Sequence, residues 1–196
     1  MSSDRIVYNW WMYKNIIDQD TIDKILQLGE KAEWENAAVG SLCEDEKRFK
    51  DSIRKTDLIW LNDQWLYDIF WSLMLVANQQ AGWNFEISCA ESFQLGRYGE
   101  DCHYRWHSDG IGFLSPPGAT GLLSDTTRKI SMVCWLNEDF KGGEFEFMRC
   151  YGEENQFVPS KGTVMFFPAW IVHRVKPVLE GTRYSLVTWF NGHPIR

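Results

Sequence analysis

Two hydrophobic rhythms divide the chain near residue 82. Before it, apolar positions recur at helical spacing in two stretches. Ile22, Ile25, Leu26 and Gly29 mark a helix that Asp18 or Asp20 caps and that runs to about Lys31. Leu66, Ile69, Phe70, Leu73, Met74 and Ala77 mark a longer one, capped at Asn62 or Asp63 and ending near Gln80, with Gly82 where a helix stop belongs. The aromatic and β-branched run 6–17 predicts one strand entering the fold, and 56–61 a second, short one. The stretch 33–55 between these elements is polar, charged and broken by glycine, and is expected to be a loop.

From Trp83 onward the pattern changes to short strands separated by turns. It predicts strands at 84–89, 91–98, 103–108, 129–136, 143–149, 155–158, 163–167, 171–176 and 183–190. Gly142-Gly143, Pro159 to Gly162 and Glu180-Gly181 supply turn chemistry between them. The fold class this predicts is α+β, mainly β: a double-stranded β-helix, or jelly roll, over 83–196, supported by helices and edge strands in 1–82. The mouth of such a barrel brings together residues from strands far apart in sequence.

Composition sharpens this in three ways. A chain of 196 residues with 44% hydrophobic and 15% aromatic content is most economically one domain with a large core. Its net charge of −7 argues against a nucleic-acid partner, which needs a basic surface. The five cysteines contain no C-x-x-C, so reduced, buried thiols are expected rather than a disulfide framework or thiolate metal site. No run is apolar enough to span a membrane and the first residues lack a signal-peptide core, which predicts a soluble, cytoplasmic protein with no membrane partner.

The candidate chemistry lies in the strand-rich half. His107 and Asp109 form an H-x-D pair, and His173 follows in the apolar run Phe166 to Val175. Two histidines and one carboxylate are the ligands of a facial triad, which holds Fe(II) by one face and leaves the other open. If Asp109 shares a strand with His107, the period of two points both side chains the same way. His103 has the same parity, which gives it a possible place at the rim. Each residue alone is commonplace. Arg183, ten residues after His173, shifts the balance, because a guanidinium on a neighbouring strand suits the distal carboxylate of a keto-acid co-substrate.

In order, the chain carries Tyr98, Tyr104, His107-x-Asp109, Arg128-Lys129-Ile-Ser, Trp135-Leu136-Asn137, Gly142-Gly143-Glu144, Pro159-x2-Gly162, Phe167-Pro168, His173-x-Val-x-Pro-Val, Arg183-Tyr184 and Trp189. This series resembles the prolyl 4-hydroxylase-like branch of the Fe(II)/2-oxoglutarate-dependent dioxygenase superfamily over roughly residues 90–191. The resemblance implies that His107, Asp109 and His173 are the metal ligands and that Arg183 holds 2-oxoglutarate. It also implies that Tyr98 lines the co-substrate pocket, that Tyr104, three residues before the first ligand, either packs there or contacts the co-substrate, and that Trp189 stands beside the metal. Asp101 departs from the usual glycine, Trp135 from a tyrosine found in many relatives, and Arg183 from the lysine of collagen-type enzymes.

The cofactors implied are Fe(II), 2-oxoglutarate as co-substrate, O2 and ascorbate as reductant. The implied reaction decarboxylates 2-oxoglutarate to succinate and carbon dioxide while a substrate C–H bond is hydroxylated. A prolyl residue in a protein or peptide is the first-choice substrate. A free amino acid or other small metabolite is the second, and a non-catalytic jelly-roll metal-binding module is the alternative outside enzymology. The Gly/Pro-rich segment 110–127, directly after the metal strand, is expected to form a lid.

Overall fold

A computed structural model describes residues 7–36, 52–110, 125–148 and 156–194. Asp18 begins helix α1 (Gln19–Glu30), its carboxylate accepting the Thr21 N–H at 2.8 Å. Helix α2 (Gln64–Gln80) starts differently. Asp63 occupies the cap position without a side-chain bond, while the Asn62 side chain accepts from Tyr67 Oη at 3.1 Å and Ser92 Oγ at 2.6 Å, fastening the helix start to the sheet. Gly82, at φ +76°, ends α2 in the left-handed conformation that glycine adopts without strain.

The early strands are β1 (Trp11–Tyr13), β2 (Glu35–Asn36), β3 (Arg54–Lys55), β4 (Asp57–Leu61), β5 (Cys89–Ala90), β6 (Phe93–Tyr98) and β7 (His103–His107). They are followed by β8 (Thr127–Trp135), β9 (Lys141–Gly142), β10 (Phe145–Phe147), β11 (Gln156–Phe157), β12 (Val164–Pro168), β13 (His173–Val175), β14 (Val178–Glu180) and β15 (Arg183–Gly192). An eight-stranded antiparallel sheet runs β1-β12-β8-β15-β6-β4-β2, with β5 also on β15. A five-stranded sheet runs β11-β10-β13-β7-β3, and β14 pairs with β9. The expected two-sheet jelly roll with supporting helices is the fold observed.

Period two explains the layering. In β8, Ile130, Met132 and Cys134 join the cluster that includes Ile22, Ile25, Leu66, Phe70 and Met74 of the helices. The alternate residues Val133 and Trp135 join a second cluster with Phe145, Phe147, Phe167 and Val175, between the two sheets. The large sheet is therefore buried on both faces, which is why β8 and β15 read as nearly continuous apolar runs.

Three local expectations fail. Among the described residues of 6–17, only Trp11–Tyr13 is strand, because Asn15 turns the chain at φ +52° and Ile17 drops into the core. Of 84–89, only Cys89 is in a strand: Asn84 has φ +50°, and the Asn78 side chain binds both the N–H (2.9 Å) and C=O (2.8 Å) of Phe85. Those are the backbone groups a ladder would have used. Within 33–55, the expected loop, β2 and β3 form, and 37–51 lies outside the described residues. Cys102 and Cys134 are free thiols, and among the described residues no helix is long and apolar enough to cross a membrane.

Candidate active site

The two histidines meet because β7 and β13 are neighbours. His107 is the Cα partner of His173, but the next pairing is Tyr104 with Val175. Three residues of β7 thus span two of β13, a bulge at Arg105 and Trp106. The bulge resets side-chain parity. Tyr104 shares the inner face with His107, its ring stacked 3.5 Å from the imidazole. His103 does not reach the cavity; its ring nitrogens lie 3.1 Å from the Asp101 carbonyl and 3.3 Å from that of Ser52. Strict alternation would allow His103 a place at the rim, and the bulge withdraws it.

Asp109 is likewise not on the strand. β7 ends at His107, and the N–H groups of Asp109 and Gly110 bond the Ala169 carbonyl at 2.9 and 3.0 Å. A turn pinned to the end of β12, rather than alternation, aims the carboxylate at the histidines. Asp109 Oδ1 lies 3.5 Å from His107 Nε2, and Oδ2 lies 3.5 Å from His173 Nε2. The three potential ligand atoms all fall within 4.8 Å of one another.

The surroundings prepare these groups for a cation. His107 Nδ1 is 2.8 Å from the Arg105 carbonyl and His173 Nδ1 is 2.9 Å from the Ile171 carbonyl. A carbonyl only accepts, so both Nδ1 atoms carry a proton, and both Nε2 atoms point at Asp109, where a metal would take their lone pairs. Ser131 Oγ donates to Asp109 Oδ2 at 2.7 Å and fixes the carboxylate's rotation. Burial alone would raise the Asp109 pKa. The hydrogen bond to His107, the charges of His173 and His107, and the Ser131 hydroxyl outweigh it and hold the carboxyl well below its usual range. Burial among Phe145, Phe147 and Phe167 lowers the His173 pKa, against the opposing charge of Asp109, and so favours the neutral imidazole that a metal requires.

Arg183 occupies the other end of the same cavity. It is 1% exposed, opposite Tyr98 in the β15–β6 ladder, with its guanidinium 5.2 Å from the Tyr98 ring and 5.8 Å from that of Trp135. Nη1 donates to Ser185 Oγ at 3.0 Å, while Nε and Nη2 are buried without a partner among the described residues. Desolvation pushes its pKa down. Gly143, at φ +63°, lets the backbone approach: a Cβ there would sit 3.1 Å from Arg183 Cδ. A buried cation with two bare donors is costly unless an anion completes it, so the residues present fit a dicarboxylate co-substrate. Trp189 lines the cavity, with its indole Nε1 also buried and unpartnered.

Arg54 and Gln94 line the cavity and Arg128 buttresses it, none of them legible beforehand. Arg54 of β3 donates to Gln94 Oε1 at 2.6 Å and lies 4.7 Å over the Tyr104 ring. Arg128 forks onto Glu91, both bonds 2.6 Å, caps the Trp189 ring at 3.7 Å and donates to the Asp109 carbonyl at 3.3 Å. Ser131 and Arg128 stood in a quoted motif, but nothing local shows that they reach Asp109. The expected lid is beyond view here, since 111–124 lies outside the described residues.

Comparison with known proteins agrees with this geometry. Residues 93–191 match the family model of the 2OG-Fe(II) oxygenase superfamily. A PKHD-type hydroxylase of Xylella fastidiosa (strain M23) is 30% identical over 98 residues, covering 49% of this chain and 42% of the relative. Another, from Janthinobacterium sp. (strain Marseille), is 34% identical over 97 residues, covering 48% and 41%. The matched stretch thus spans less than half of either relative. Among solved structures, a Pseudomonas putida prolyl-4-hydroxylase superposes with a TM-score of 0.69 at 19% identity, covering 93% of this chain and 92% of that one. A Trichoplax adhaerens prolyl hydroxylase, in complex with a hypoxia inducible factor oxygen degradation domain peptide fragment, gives 0.69 at 18% identity, covering 93% and 83%. These two likenesses speak for the fold. The family match, which takes in half of the chain and every residue of the His107–Asp109–His173–Arg183 set, is decisive: this chain belongs to the 2OG-Fe(II) oxygenase superfamily.

Proposed function

We propose that this protein is an Fe(II)- and 2-oxoglutarate-dependent hydroxylase acting on a prolyl residue in a protein or peptide. The observation that carries the reading is one cavity with a His-Asp-His cluster at one end and a buried, half-unpartnered guanidinium at the other. When bound, Fe(II) with 2-oxoglutarate and O2 supplies the oxidising power to insert oxygen into a C–H bond, as 2-oxoglutarate becomes succinate and carbon dioxide. His107 Nε2, Asp109 and His173 Nε2 hold the metal, with ascorbate as reductant.

The remaining work belongs to the chain. Arg183, steadied by Ser185, takes the distal carboxylate through its two bare nitrogens and so fixes the co-substrate's orientation. Tyr98 and Trp135 wall that end and exclude water. Phe145, Phe147 and Phe167 do the same around His173. Tyr104 and Trp189 flank the space beside the metal. The prolyl assignment is supported by the branch resemblance, the hydroxylase names of the sequence relatives and the prolyl hydroxylases of like fold.

The test incubates the protein with Fe(II), 2-oxoglutarate, ascorbate and a panel of proline-containing peptides. Mass spectrometry should find peptide bearing one added oxygen, formed in step with succinate. Asp109→Ala should abolish both with the fold retained by circular dichroism. Turnover retained in Asp109→Ala would remove the metal assignment; oxygen added to a free amino acid but to no peptide would replace the prolyl substrate.

A further inference from the structure

The bulge that turns Tyr104 inward also turns two consecutive side chains, Arg105 and Trp106, outward. They border a groove of about 540 Å³ on the outer face of the small sheet, together with Arg174 and Lys176. The Arg174 guanidinium lies 4.4 Å over the Trp106 ring, and Trp106 is 39% exposed. Arg174 also bonds Glu146 at 2.6 Å, and Lys176 lies 3.5 Å from Glu144 and 3.7 Å from Glu146. Arg105 is exposed and has no ion-pair or hydrogen-bond partner for its side chain among the described residues. Three cations therefore meet two carboxylates here, in a chain whose net charge is −7. Tyr104 and Val175 line both this groove and the metal cavity, so the two lie on either side of the same β7–β13 pair.

We propose that this groove holds an acidic segment flanking the target residue of a protein or peptide substrate. Arg105 takes a carboxylate of that segment through its planar fork, and the exposed Trp106 ring receives the adjoining backbone or aliphatic carbons. Arginine and tryptophan are the residue types that carry most energy at such surfaces. The unspent charge at Arg105 selects the sign of the partner, because a lysine-rich segment would meet uncompensated like charge. The inference rests on the reading above in one respect only: that the substrate is a polypeptide.

The test uses the protein loaded with Fe(II) and 2-oxoglutarate without oxygen, and fluorescence anisotropy of three labelled peptides. One carries proline flanked by Asp and Glu, the second proline flanked by Lys, and the third is acidic and lacks proline. Both acidic peptides should bind about tenfold or more tightly than the lysine peptide, with a preference that fades as salt rises. Arg105→Glu should remove that preference, and Trp106→Ala should weaken both acidic peptides several-fold. The absorption spectrum of Co(II)-loaded Arg105→Glu, recorded beside the parent's, separates a disturbed metal site from a lost groove contact. Equal binding of acidic and lysine peptides, or an unchanged acidic preference in Arg105→Glu, overturns the proposal. Arg105-dependent binding without hydroxylation of any peptide sustains the groove and sinks the prolyl substrate; hydroxylation indifferent to Arg105 does the reverse.

Discussion

Two arginines near the site are treated in opposite ways by the fold. Arg128, behind Trp189 and Asp109, is satisfied by its own chain: Glu91 takes two of its donors, the Asp109 carbonyl a third, and Trp189 lies under its face. Arg183, at the deep end, is more buried yet keeps two nitrogens bare. A cation completed internally holds structure in place. A cation left incomplete where water is excluded is poised for an anion from outside, and the difference separates a strut from a binding group.

The sharpest way to break that comparison is Arg183→Met. It should weaken 2-oxoglutarate binding by at least about a hundredfold, since charge-assisted hydrogen bonds are worth about 1.5–3 kcal/mol each. Stability of the apoprotein should hold or rise, because an incompletely paired buried charge is removed. Calorimetric titration and thermal melting check the two halves. A large loss of apoprotein stability would make Arg183 a strut after all.

Glu91→Gln should give the mirror image. Because the pair is partly exposed, with side chains 16% and 27% accessible, its loss should cost about 1–2 kcal/mol in denaturant unfolding. Affinity for 2-oxoglutarate should stay within about twofold. A smaller effect is expected at the metal-site carboxylate: Ser131→Ala frees Asp109 to rotate and should weaken Co(II) binding by about tenfold, read by its absorption spectrum.

The weakest lever is pH. Burial holds the His173 pKa below its usual value, so the unfolded chain takes up that proton first. Apoprotein stability should therefore fall as pH drops through about 6.5, the ordinary histidine value, towards the lower folded one. Asp109, held low, adds a second loss that begins below about pH 4. Urea unfolding between pH 5 and 8 reads the first step. His173→Gln should flatten it; an unchanged slope would place the titration elsewhere.

The fold class, both helices and the main strands were legible because periodicity records which face is buried. His107, Asp109, His173 and Arg183 were legible because side-chain chemistry and order in sequence survive without coordinates. The failures share a cause. The role of His103 stayed open because a bulge depends on cross-strand register, which single-strand alternation does not encode. Arg54 was hidden because β3 is two residues long within a polar stretch, and its role comes from pairing with β7. The Glu91–Arg128 fork joins residues 37 positions apart, chosen by topology rather than by pattern.

The cavity's two halves also ride on ladders of unequal length. Arg183, Ser185 and Trp189 belong to β15, ten residues long and paired on both sides, and Ser131 to the nine-residue β8. The histidines sit at the ends of β7 and β13, of five and three residues. Amide hydrogen exchange should therefore divide the site in two, with β8 and β15 opening only on global unfolding and β13 opening at much lower free energy. Metal release would then be a local event that leaves the co-substrate wall standing, so that a protein stripped of iron keeps the pocket for 2-oxoglutarate largely in shape.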